Sequence, residues 1–251
     1  MGLSRDELIY MAKVCEQTER FDDMLTYMKS VVTDFNNELN VEERNLLSVA
    51  YKNSVGSRRT AWRVLSTIET KEDSKNSGHA NLLKEYKVKI EKELDTICNE
   101  IIGFLDSKLI PQAKGSQAEA KLKAQSEVFF LKMKGDYFRY ISEYTGEKNK
   151  AAADKAYEAY SKANEIATTS LDTTNPIRLG LALNFSVFHY EVRNDPKQAC
   201  NLAKTAFDEA IANIEQIEEE NYKDSTTIMQ LIRDNLTLWT SELEDKHEEN
   251  K

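Results

Sequence analysis

Helical periodicity runs through almost all of this chain of 251 residues, and only eight glycines and three prolines interrupt it. Leu8, Met11, Ala12 and Cys15 show the pattern in miniature, an i, i+3, i+4, i+7 stripe on one helix face. All-β sandwiches and barrels need many turn residues, so this scarcity nearly excludes them, and the loops of a doubly wound sheet consume glycine too. Helix starts are signalled instead. Ser4 with Glu7, Asn40 with Glu43 and Ser116 with Glu119 read as capping boxes, and Asn175-Pro176 and Asp195-Pro196 as an N-cap followed by proline at the first helical position. Pro111 reads as a helix end. The expectation is an all-α fold of about nine helices, near residues 4–17, 21–35, 41–72, 80–108, 118–144, 148–171, 176–192, 196–216 and 222–243. Short polar turns join them, so neighbours pair antiparallel without a repeat of fixed length. No linker is visible, which predicts one domain over 1–243 and a disordered acidic tail over 244–251.

Charge narrows the function. Lys and Arg number 34 against 43 Asp and Glu, a formal net charge of -9, which argues against general nucleic-acid binding. Cys15, Cys98 and Cys200 are scattered and odd in number, so neither a disulfide framework nor a metal site is expected, and a reducing compartment is the default. No apolar run is long enough to span a bilayer, so no membrane insertion is expected. The opening MGLSRDELIY lacks the apolar core of a signal peptide, and Asp6 stands where a myristoylation motif wants Ser or Thr. The cytoplasm is therefore the expected location. His79, His189 and His247 have no nucleophile or carboxylate at a known catalytic spacing, and no phosphate-binding glycine loop is present, so neither catalysis nor a cofactor is expected.

Two helices carry basic stripes. At about 100° per residue, Asn45, Lys52, Arg59 and Arg63 share one polar face of the third helix, while Arg58 points away. On the fifth, Lys132, Asp136 and Arg139 share a face with Tyr140 beside it. Local positive charge on a negative background focuses an anion. Forked arginine donors, a lysine and a phenol suit a phosphate dianion, with Asp136 placed to orient Arg139. Solvated helix faces paired with local carboxylates would produce the same stripes, and the pattern alone leaves both readings open. Asn184 lies among Leu183, Val187 and Glu191, and Asn235 between Leu231 and Leu238. An asparagine on an apolar face needs an amide partner, which a neighbouring helix or a passing peptide backbone would supply.

The segments RNLLSVAYKN (44–53), SRRTAWRVLSTIE (57–69), FFLKMKGDYFRY (129–140), NPIRLGLALNFSVFHYE (175–191), AKTAFDEAI (203–211) and YKDSTTIMQLIRDNLTLW (222–239) closely resemble the 14-3-3 family, in family order and over nearly the whole chain. The resemblance implies a cup-shaped dimer of nine-helix subunits, each with a concave amphipathic groove for phosphoserine or phosphothreonine peptides. It implies an adaptor without catalytic activity that clamps, masks or bridges phosphorylated client proteins, as a homodimer or as a heterodimer with a relative. Carried over by matching position, Lys52, Arg59, Arg139 and Tyr140 would hold the phosphate, supported by Arg63 and Asp136. Asn184 and Asn235 would hold the peptide backbone. The groove wall would comprise Asn45, Val49, Lys132, Leu183, Val187, Thr227, Leu231 and Leu238, with Glu191 and Trp239 near the phosphoresidue. The dimer interface would use Val14, Thr18, Arg20, Asp23, Ala61, Leu65, Ile68, Tyr86, Lys89 and Glu93, with Arg20 and Asp23 facing Glu93 and Lys89 across the subunits. Three departures stand out. Thr227 replaces the family's usual leucine, Ala61 replaces a serine that some relatives phosphorylate, and the stretch 112–128 is longer than usual, as a helix extension or a loop. A tetratricopeptide-like scaffold for unmodified or acidic peptide tails is the competing reading, and the absence of a 34-residue repeat counts against it.

Overall fold

The structure, a computed structural model, describes residues 2–36, 38–74, 79–146 and 150–249. Among the described residues there is no strand. The α-helices are α1 (Arg5–Gln17), α2 (Phe21–Asp34), α3 (Val41–Ser74), α4 (Ala80–Phe104), α5 (Ile110–Gly115), α6 (Ala120–Thr145), α7 (Lys150–Ser170), α8 (Pro176–Glu191), α9 (Pro196–Ala212) and α10 (Tyr222–Glu249). The helices sort into two compact units, residues 1–109 and 110–251.

In the first unit, α1 packs on α2, α2 on α3, and α3 on α4. Ala12, Met24, Met28, Leu47, Tyr51, Leu94 and Ile101 are buried between them. Polar contacts fix the helix starts. Ser4 and Glu7 form the expected reciprocal cap of α1. Asn40 Oδ1 accepts the Glu43 amide at 2.9 Å, and Glu43 accepts the Asn40 amide at 2.9 Å. The Glu43 carboxylate also takes both Nε and an Nη of Arg5 at 2.8 Å, which ties α1 to the head of α3. Arg58 points away from the basic stripe as expected, bonding Asp22 of α2 and Glu93 of α4, each at 2.9 Å.

In the second unit α7 is laid along α6. Ala152, Ala156, Ala159, Ala163 and Ala167 form its buried stripe, and small side chains let two helices approach closely. At Gly135 a Cβ would lie 2.7 Å from the ring of Tyr160. The α8 start is capped by Asn175, whose side chain accepts the Ile177 amide at 2.9 Å, and Asp195 caps α9. Leu179, Ala199, Ala203, Met229, Ile232 and Trp239 form the core shared by α8, α9 and α10.

Two local expectations are corrected. Pro111 lies within α5 rather than ending a helix. The π-helical turn Leu105–Leu109 immediately precedes it, a wider winding with which a helix absorbs a residue that would otherwise break it. Ser116 and Glu119 form no capping box. Ser116 Oγ instead accepts the Ala118 amide at 3.2 Å, and α6 starts after Glu119 with no side-chain cap. The long 112–128 stretch is thus helix to Gly115, a short polar turn, and helix again from Ala120. The last helix, α10, continues to Glu249. Residues 250–251 lie outside the described residues, as do 75–78 of the polar stretch 71–80.

Gly135→Ala must push the buried Tyr160 ring away from α6. Overpacking of this kind costs about 1–3 kcal/mol, so urea unfolding should show a lower midpoint with little change in slope. An unchanged midpoint would contradict the close approach.

Candidate functional site

The basic stripe of the first unit keeps its register because α3 runs unbroken from Val41 to Ser74. Lys52 and Arg63 are exposed and Arg59 is half-buried, with Asn45 exposed and Val49 half-buried on the same face. Lys52 has no carboxylate partner among the described residues. The Arg59 charge is felt by Cys98 of α4, although burial dominates there and pushes the thiol up to about 12.

The second unit gathers its expected residues around one buried carboxylate. Asp136 is 7 % exposed. Its Oδ2 accepts Lys132 Nζ at 2.8 Å, one helical turn away. Its Oδ1 accepts the Tyr160 hydroxyl at 2.6 Å and Asn184 Nδ2 at 2.8 Å. An Nη of Arg139 stands 3.7 Å from the same oxygen. Burial opposes the charge on Asp136, yet Lys132 and Arg139 outweigh it and hold the carboxyl below its usual value.

Arg139 is itself 8 % exposed. Its Nε donates to the Tyr160 hydroxyl at 3.2 Å. The guanidinium lies over the Tyr140 ring at 4.8 Å, and its other Nη reaches the exposed Glu191 carboxylate at 3.8 Å. Burial works against this charge too, but Tyr160, Tyr140 and Asp136 raise the arginine above its ordinary value, so it stays a cation. A carboxylate only accepts, so the bond to Asp136 fixes which way the Asn184 amide faces: its nitrogen is committed and its oxygen is left to accept an N–H.

The remaining wall residues divide. Leu183 and Val187 are half-buried on α8, and Leu231 and Leu238 are exposed on α10, the latter by 56 %. Half-buried Asn235 has no side-chain hydrogen bond among the described residues. The Thr227 hydroxyl bonds back to the Lys223 carbonyl at 2.7 Å, so replacing a leucine there costs apolar area without adding an unpaired polar group. Trp239 is 4 % exposed and stacked on Tyr190 with centroids 4.8 Å apart, which makes it chiefly a core residue.

Comparison with known proteins decides the family. The model of the 14-3-3 protein family matches residues 11–240. The chain belongs to the 14-3-3 family. It is 55 % identical over 250 residues to the 14-3-3-like protein F of Nicotiana tabacum, covering 98 % of this chain and 94 % of that one. It is 56 % identical over 246 residues to 14-3-3 protein 2 of Solanum lycopersicum, covering 97 % and 94 %. It is also 56 % identical over 243 residues to the checkpoint signal transducer rad24 of Schizosaccharomyces pombe, covering 96 % and 87 %. As a 14-3-3 protein it is a phosphopeptide-binding adaptor and regulator, and not an enzyme. No helix among the described residues is long and apolar enough to cross a membrane.

Sequence reasoning missed two residues of this buried cluster. Tyr160 and Gly135 lie outside the basic stripes. The available signal was a tyrosine inside the alanine stripe of α7, because a buried phenol needs a hydrogen-bond partner.

The Asp136 carboxyl titrates below its unfolded value, so its contribution to stability is complete above pH about 4 and is lost as pH falls through the lower folded value. Urea midpoints measured from pH 7 down to pH 2 should fall more steeply for the wild type than for Asp136→Asn at the acid end. Parallel curves would contradict the assignment.

Proposed function

We propose that Lys52 and Arg59 of the first unit and Arg139 and Tyr140 of the second hold the phosphate of a client's phosphoserine or phosphothreonine, with Arg63 and Asp136 in support. The family resemblance joins the two sets of residues. The observation that carries the reading is Arg139, a buried arginine kept cationic and fixed by Asp136 and Tyr160, with only the weak contact to exposed Glu191 on one side. Charge in this cluster balances as Lys132 and Arg139 against Asp136 and Glu191. An arriving dianion repels Glu191, which is exposed enough to swing aside, and takes its place on the guanidinium. The Asn184 oxygen and the unpaired Asn235 amide supply the acceptor and donor that an extended peptide backbone requires. Leu183, Val187, Leu231 and Leu238 give the flanking residues an apolar surface.

Fluorescence anisotropy with one Arg-Ser-x-Ser-x-Pro peptide, plain and phosphorylated at the second serine, tests this. The phosphorylated form alone should bind. Arg59→Ala should weaken it by about 10- to 100-fold, the worth of a charge-assisted contact. Tight binding by Arg59→Ala would remove that residue from the site. Equal binding of both peptides would favour the unmodified-peptide scaffold.

We also infer a homodimer built through α1 to α4, working in the cytoplasm. Val14, Ala61 and Leu65 of the expected interface are partly or wholly buried within the chain, while Ile68 and Tyr86 are exposed, Tyr86 by 52 %. Val64 and Leu82 add exposed apolar surface on the same two helices. Within the chain Arg20 already pairs with Asp23, and Glu93 with Arg58. Charge pairs across subunits would exchange these contacts rather than add to them, so apolar burial carries association. Thr18 bonds back to the Val14 carbonyl at 2.9 Å and brings no unpaired hydroxyl to the interface, and Lys89 lies over the Tyr86 ring at 6.0 Å. Sedimentation equilibrium should give twice the chain mass for the wild type and the single-chain mass for Tyr86→Asp. A dimeric variant would rule out this face.

A further inference from the structure

We propose that Tyr160 is a positioning residue of the phosphate site: its hydroxyl sets the direction in which the Arg139 guanidinium meets the phosphate. The proposal rests on the phosphopeptide reading above and adds a residue to it.

Three observations converge. The first is bonding. One phenol joins the two charged partners, donating to Asp136 Oδ1 at 2.6 Å and accepting Arg139 Nε–H at 3.2 Å. Asp136 and Arg139 are themselves 3.7 Å apart, beyond a hydrogen bond, so the phenol closes the contact between them. The second is rigidity. Tyr160 is wholly buried, and its ring stacks on Phe185 at 5.4 Å and 24°. The third is that the site makes room for it. Gly135 lies one residue before Asp136, and any Cβ there would meet the ring at 2.7 Å. A glycine in a helix interior costs stability, and here it brings a phenol within reach of both charges.

The guanidinium geometry shows the purpose. Arginine carries five N–H donors in a planar fork. Tyr160 takes the Nε edge, Asp136 lies near one Nη, and the Tyr140 ring covers a face. The rotation left to the fork is about its own long axis, and the Nε bond removes it. The Nη that faces Glu191 is then held for an incoming oxygen anion. A phenol suits this place better than a carboxylate, because it accepts from Arg139 while remaining neutral. Burial and the Asp136 charge push its ionisation well above the ordinary tyrosine value, so it does not cancel the arginine's charge.

Tyr160→Phe keeps the ring against Gly135 and Phe185 and removes only the hydroxyl. In the full chain its affinity for the phosphorylated peptide should fall by about ten-fold, the worth of a hydrogen bond to a charged group. The double-mutant cycle separates positioning from general loosening. In an Arg139→Lys background, which keeps a charge but has no Nε–H, the same change should cost little. An equal loss in both backgrounds, or wild-type affinity for Tyr160→Phe alone, would overturn the proposal. A second readout stands without any peptide and without the variant. The Arg139 Nε–H resonance of the 15N-labelled wild type should exchange slowly with water, and rapid exchange would overturn the proposal even if Tyr160→Phe failed to fold. A wild type that fails to discriminate phosphorylated from plain peptide sinks the phosphopeptide reading itself, and the exchange measurement then still decides whether Tyr160 holds Arg139.

Discussion

The second unit turns on a buried charge pair that is stable only because it is over-supplied with partners. Asp136 and Arg139 are each more than nine-tenths buried, and an unpaired charge at that depth is strongly unfavourable. Lys132, Tyr160 and Asn184 each bond to Asp136, and Tyr160 with Glu191 engages Arg139. These groups come from α6, α7 and α8. Satisfying the pair therefore fixes the relative placement of three helices as well as the direction of one guanidinium. A fully satisfied polar network rigidifies its surroundings, and a partly satisfied one destabilises them, which leaves little freedom to change any one member.

The same economy explains the composition of α6 and α7. A glycine in the middle of α6 and five alanines along α7 would weaken isolated helices or leave them poorly packed, yet together they bring Tyr160 up to Asp136. The first unit solves a similar problem with Arg58, which is tied to Asp22 and Glu93 and so binds α2, α3 and α4 together. Adjacent arginines thus do different work. Arg58 ties three helices together, while Arg59 lies on the helix face that also carries Lys52 and Arg63.

Much of this was legible in the sequence, for identifiable reasons. Helix starts at Ser4, Asn40, Asn175 and Asp195 follow from side chains that bond the first free amides, a rule that needs only local contacts. The stripes of α3 and α6 follow from helical geometry, and the pairing of Asp136 with Arg139 from their three-residue spacing. The misses are places where distant residues decide, or where one local signal yields to another conformation. Pro111 has the pattern of a helix stop, yet a π turn carries the helix past it, and Ser116 has the pattern of a cap while bonding elsewhere. Tyr160 was invisible because its approach to Asp136 depends on a glycine 25 positions earlier in another helix.

If fixed cations hold a phosphate as its dianion, the ionisation of that phosphate must change on binding. A 31P NMR pH titration of a phosphoserine peptide, free and bound to the full chain, measures its second ionisation. The free peptide should titrate near pH 6, and in the complex the midpoint should move well below that as Lys52, Arg59 and Arg139 favour the doubly charged form. A bound peptide that titrates at the free value would mean that its phosphate lies in water and that these cations do not hold it.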